Sequence, residues 1–217
     1  MNELAVRTAT GLLLIAGALL AAVVGGNVFA VLVAAVATLM FYEWTRLVRG
    51  WGATWYMAGF IYALLPALAL LWIRERTPPD LPSDERGLSL LIWAFIVTWS
   101  TDIGAYFAGR SFGRRKLAPS ISPNKTVEGL FGGMAAATLC GGAWAVATHL
   151  GMVLLALAPI LAVAAQGGDL FESGMKRRAG VKDSGAWLPG HGGVLDRLDG
   201  LVPVAVLTTA AQLIGMT

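Results

Sequence analysis

"MVLLALAPILAVAAQGGDLFESGMKRR", Met152 to Arg178, carries no charge over its first seventeen residues and five charges in its last ten. The uncharged part is apolar on every side, with none of the period-two alternation of a barrel strand. A bilayer asks for about 20 such residues, with about 17 as the usual lower limit. The stretch therefore reads as a membrane helix that ends among charges. Asp169, Glu172, Ser173 and Lys176 fall at i, i+3, i+4 and i+7, so one helical face carries all four.

Working outward, six further apolar runs appear: roughly Ala9–Val24, Val28–Leu47, Trp55–Ile73, Leu88–Ala108, Gly129–His149 and Leu201–Met216, beside Met152–Asp169. The chain is 57% hydrophobic and 13% charged, with a mean hydropathy of +0.69, against about 25% charged residues in a soluble domain. The expected fold is an all-α integral membrane protein with about seven transmembrane helices. Residues 1–87 would form N-terminal helices and an external loop, and residues 88–217 a second membrane domain that carries the long polar loops. The first run lacks a small-residue cleavage site and reads as a retained helix. The net charge of +3 gives no reason to expect nucleic acid.

The distribution of charge says more. Seven spans place thirteen Lys and Arg on the N-terminal side and three, Arg74, Arg76 and Arg86, on the other. That is a positive-inside pattern, so the N-terminus and both long polar loops should be cytoplasmic. Cys140 lies alone in an apolar run and reads as a small core hydrophobe. His149 closes a span and reads as interfacial, and most of the eight tryptophans lie near span ends, as an aromatic belt requires.

Four carboxylates break the apolar pattern: Glu43, Asp102, Asp169 and Glu172. An ionised group in hydrocarbon costs several kcal/mol, so each should face a cavity, a partner or an ion. Glu172 with Lys176 is explained by a helix-end ion pair, whereas Asp169 has no basic residue at i+3 or i+4. Asp196 and Asp199 of "LDRLDG" lie one turn apart if helical, and a helix start favours acids there. Carboxylates gathered from separate segments need a cation, and hard oxygen donors with few His and no Cys suit Mg²⁺ rather than Zn²⁺. Lys176, Arg177, Arg178, Lys182 and Arg197 would face phosphates, with Gly190, Gly192 and Gly193 giving a pliant backbone. "APSISPNKTVEG" suggests a second anion site, with Ser122 as N-cap, Pro123 as first helical residue, and Lys125 and Thr126 beside the free N–H groups. His191 in "PGHGG" suits a catalytic or phosphate-contacting role better than metal ligation.

"SGMKRRAGVKDSGAWLPGHGGVLDRLD", Ser173 to Asp199, resembles the signature of the phosphatidate cytidylyltransferase family, the CDP-diacylglycerol synthases. The pattern is S-x-x-K-R, four residues, K-D-S-G, an apolar spacer, P-G-H-G-G, two residues, D-R-x-D. "GGDLFES" and "DIGAYFAGRSFGRRKLAPSISPNKTVEGLFGG" resemble the same family, so the likeness runs from Asp102 to about Leu201. Ile103 stands where the family more often has Ser, and the N-terminal part is shorter than in many members by one or two helices.

The resemblance implies condensation of CTP with phosphatidate in phospholipid biosynthesis, giving CDP-diacylglycerol and pyrophosphate. It implies Mg²⁺ and a second cation such as K⁺. Its metal-binding acids map onto Asp169 and Asp196, with Asp199 beside them. Catalytic roles fall to Asp169, Asp196, Lys182, His191 and Arg197. Substrate contacts fall to Asp102, Ser122, Asn124, Lys125, Thr126, Glu128, Ser173, Lys176, Arg177, Asp183, Gly192 and Gly193. The setting would be a bacterial-type inner membrane, the assembly a homodimer. Two rivals remain open: a cytidylyltransferase or kinase acting on an isoprenoid lipid, and a cation-coupled transporter with buried acids.

Overall fold

The computed structural model describes residues 3–75, 85–188, 190 and 192–216, with side chains from Thr8 onward. The chain forms α1 (Glu3–Val24), α2 (Gly26–Leu47), α3 (Ala53–Glu75), α4 (Glu85–Phe112), β1 (Lys116–Ala118), β2 (Ser122–Thr126), α5 (Val127–Ala147), α6 (Val153–Arg178), α7 (Leu195–Leu198) and α8 (Leu201–Leu213). Among the described residues five helices, α2 to α6, are long and apolar enough to cross a membrane. The apolar part of α1, Thr8–Val24, and α8 are shorter. At 1.5 Å per residue α8 covers about 20 Å of a hydrocarbon layer about 30 Å thick.

The apolar runs become helices, with α1 beginning six residues before its run and α6 continuing nine residues past its own. A large apolar belt faces outward, including Leu13 (73% exposed) and Leu139 (72%), as lipid contact demands. The core is built from both halves of the chain, with Leu91, Trp93, Val97, Leu154, Leu161 and Val204 fully buried. Cys140 is exposed on α5 and not in the core. A small apolar side chain loses nothing by facing lipid, so the correction carries no energetic puzzle.

Two helix pairings position everything else. Along α4 and α5 small residues let the backbones touch: a side chain on Gly104 would collide with Gly132 and Ala136, and one on Gly132 with Ala108. Close approach through small residues is how membrane helices associate without a hydrophobic driving force between them. At the other end of the bundle α1 and α2 meet at Gly25 and Gly26, both left-handed (φ 66 and 51). The buried Arg74 of α3 donates from Nε to the Ala22 carbonyl (2.6 Å) and from Nη2 to the Val23 carbonyl (3.2 Å). It thereby satisfies carbonyls that the end of α1 leaves open.

The stretch around Ser122 differs from the sequence expectation. Ser122–Thr126 is a strand, paired antiparallel with Lys116–Ala118. Its pairing takes up backbone groups that a helix begun at Pro123 would need. Helix α5 starts four residues later at Val127, where the Thr126 hydroxyl accepts from the Gly129 N–H at 3.0 Å. The N-cap is therefore Thr126, not Ser122.

Candidate functional site

A cleft of about 680 Å³ lies between α4, β2, the first turn of α5, and α6. Asp102, Tyr106, Gly109 and Arg110 reach it from one face of α4; Asn124, Lys125 and Thr126 from β2; Gln166 and Asp169 from α6. The hairpin carries Lys125 over to α6. Its ammonium lies 2.5 Å from Asp169 Oδ2 and donates to Gln166 Oε1 at 2.8 Å. Ser173, one turn on, donates to Asp169 Oδ1 at 3.1 Å. The basic partner that Asp169 lacks on its own helix thus comes from a strand 44 residues earlier. Gln166 was missed in the sequence, although a lone amide in an apolar run is a visible signal.

The same face of α6 continues into the loop between α6 and α7. Lys176 Nζ donates to Glu172 Oε1 (3.0 Å) and Asp196 Oδ1 (2.6 Å). Asp196 Oδ2 accepts from the backbone N–H groups of Ser184 and Gly193, both at 2.9 Å. Burial opposes ionisation of Asp196. The hydrogen bonds it accepts from Lys176 and from the Gly193 and Ser184 N–H groups favour the charged form, and its carboxyl lies lowered, at about 2. Asp199, just beyond α7, is pushed the other way, up to about 7. Burial is the main cause and the charges of Asp169 and Asp102 add to it, against the Gly200 N–H and Lys176.

The remaining expected residues divide. Ser122 lies outside the lining of the cleft. Glu128 accepts from the backbone of Arg114 (3.0 Å) and Arg115 (3.2 Å), so it braces the turn leading into β1. Arg177 donates to the Ile121 carbonyl at 3.3 Å and ties α6 to the hairpin. Lys182 and Arg197 are exposed. Asp183 lines a separate basic pocket with Arg46, Arg49 and Arg178. Gly192 is left-handed (φ 81) and its carbonyl accepts from Leu188 N–H at 3.0 Å, closing the loop. His191 lies outside the described residues.

The acids suit a hard cation in kind. Glu172 is 2% exposed and its Oε2 has no hydrogen-bond partner, and Asp199 sits in the field of Asp169 and Asp102. In donor type, carboxylate oxygens match Mg²⁺ better than Zn²⁺. Among the described residues no group of three or more His, Cys, Asp or Glu is close enough to hold a metal by itself. Asp196 has only Oδ1 to offer, and Lys176 holds it here.

Fold and site together define a multi-pass helical membrane protein with a charged cleft between two long helices and a β-hairpin. The model of the cytidylyltransferase family matches residues 51–214, and the chain belongs to that family. It is 48% identical over 179 residues to a phosphatidate cytidylyltransferase of Brucella suis biovar 1 (strain 1330), covering 81% of this chain and 62% of the relative. The enzyme of that name from Bacillus subtilis (strain 168) is 50% identical over 119 residues, 54% of this chain and 44% of the relative. One from Staphylococcus epidermidis (strain ATCC 12228 / FDA PCI 1200) is 48% identical over 126 residues, 57% of this chain and 48% of the relative. The chain thus spans less than two thirds of the length of these relatives.

Proposed function

We propose that this protein transfers the cytidylyl group of CTP to phosphatidate, releasing pyrophosphate and forming CDP-diacylglycerol. The observation that carries the reading is the ion pair of Lys125 with Asp169 inside the cleft of a chain 48% identical to proteins of that name. The nucleophile would be the lipid's phosphate monoester, already anionic at neutral pH, so no base has to be found among the side chains. The chain's task is to gather two anions and hold them in line. Lys125 and Lys176 would exchange their carboxylate partners for substrate phosphates. Arg110 and Asn124 line the approach.

Asp169 and Asp199 would hold Mg²⁺, with Asp196 able to join through Oδ1 only. When bound, Mg²⁺ would polarise the phosphoryl oxygens and offset developing charge. A second cation such as K⁺, and a homodimer, belong to the same proposal. Seven spans with the N-terminus and the loops cytoplasmic would bring the cleft level with lipid phosphates. A reporter fused after Thr217 should then be active outside the cell, and cytoplasmic activity would remove one of the short spans, α1 or α8.

The deciding experiment is pyrophosphate release by the purified protein with CTP, Mg²⁺ and phosphatidate. Turnover on an isoprenoid phosphate but not on phosphatidate would move the substrate. Cation-driven flux in sealed vesicles without CTP would replace the reaction with transport.

A further inference from the structure

Glu43 has no exposed surface, and its partners lie 141 to 152 residues away. Its Oε1 accepts from the Val194 N–H at 2.9 Å. Its Oε2 accepts from the Leu195 N–H at 2.8 Å and from Ser184 Oγ at 2.9 Å. Among the described residues the carboxylate accepts these three hydrogen bonds. Two come from backbone groups at the start of α7, which that short helix cannot satisfy itself.

Ser184 joins two acids. Its hydroxyl donates to Glu43 and its backbone N–H to Asp196 Oδ2. Gly193 N–H goes to Asp196, while the next two N–H groups go to Glu43. The departing and returning ends of the loop are thus held between one carboxylate of the loop and one of α2. Two loop glycines fit the same account. A side chain on Gly185 or on Gly193 would land on the Glu43 carboxylate. Glu43 itself precedes residues 51–214, the span matched by the family model.

We infer that Glu43 is a positioning residue for the reaction: through Ser184, Val194 and Leu195 it fixes the loop that presents Asp196 to Lys176. The kinetic part rests on the proposed cytidylyl transfer; the hold on the loop does not. Glu43→Gln keeps the volume but turns one oxygen into an NH₂ group facing an N–H or O–H donor. At least one backbone N–H then loses its acceptor, at a cost that a buried site does not absorb.

The test pairs kinetics with hydrogen exchange on the purified chain. Glu43→Gln should raise amide exchange in residues 184–195 without changing α5. It should lower kcat about tenfold or more and leave the KM for phosphatidate unchanged. Ser184→Ala should give a smaller loss of kcat, and the double variant should lose less than the product of the two, as expected for residues acting through one contact. If Glu43→Gln fails to fold, Ser184→Ala alone must still show the faster exchange and the reduced kcat. Unchanged exchange overturns the inference, and so does faster exchange with kcat intact. If the wild type turns over neither phosphatidate nor any other lipid phosphate, the reaction reading falls and takes the kinetic role with it. The exchange arm still decides whether Glu43 holds the loop.

Discussion

Two buried charges sit at opposite ends of this bundle and do opposite things. Arg74, 1% exposed, gives hydrogen bonds to carbonyls at the end of α1. Glu43, 0% exposed, takes them from N–H groups at the start of α7. Each sign matches the helix end it meets, a cation at carbonyls and an anion at amides. What separates them is what lies next door. Around Arg74 there is a turn between two helices. Beyond Glu43 lie Asp196, Lys176 and Glu172, leading to the cleft. A buried charge is thus a sign of load on the backbone first, and of chemistry only where a cleft lies close by.

The sharpest way to break this contrast is inside the cleft. Asp169→Asn preserves shape and removes the charge that faces Lys125. Turnover should fall by about two orders of magnitude, the scale of losing a group aimed at transition-state charge. Asp183→Asn, on the far face of the loop, should lose far less under the same assay. Equal losses would erase the distinction between the two faces. Lys125→Ala should cost about tenfold, through a higher KM for a substrate or a lower kcat, with the fold intact. Unchanged kinetics would make Lys125 a strut between β2 and α6.

Arg74→Met tests the other end. It leaves the Ala22 and Val23 carbonyls without this donor, at about 1–3 kcal/mol each. The Tm in detergent should drop by several degrees, while kcat per folded molecule stays within about twofold of wild type. A large loss of kcat at unchanged Tm would mean that the two ends of the bundle are coupled.

The smallest effects are in pH. Asp196 titrates at about 2 in the folded protein, below its ordinary 3.8. Its contribution to stability is therefore present above about pH 4 and is lost as pH falls toward 2. Asp199 is raised to about 7, so its ionisation costs stability as pH rises from about 4 to 7. In metal-free protein Asp196→Asn should lower the Tm at neutral pH and matter little near pH 2. Asp199→Asn should raise the Tm at pH 8 and make no difference near pH 4. Thermal melts across that range check both signs.

The helices were legible because apolar runs without period-two alternation leave few alternatives in a bilayer. The acids were legible too, since Glu43, Asp102, Asp169 and Glu172 each break such a run. Their partners were not. Lys125 reaches Asp169 only because β2 folds onto β1, and "SPNKT" carries a local Ser-Pro signal for a helix start that strand pairing overrides. Ser184 and Glu43 are 141 residues apart, and no local pattern encodes that meeting. Glu128 and Arg177 are substrate contacts by resemblance, and their backbone partners, the Arg114 N–H and the Ile121 carbonyl, had no signal in the sequence.

The Glu43 contact also bears on where this protein can be divided. A fragment begun at residue 51 would keep every residue of the matched span and the two glycines shaped around an absent carboxylate. It would be a lock cut for a key left on the other piece. Any transplantation of the loop into a foreign scaffold, or any split-protein design, has to carry α2 along with it. The unit needed to hold the loop is larger than the span matched by the family model.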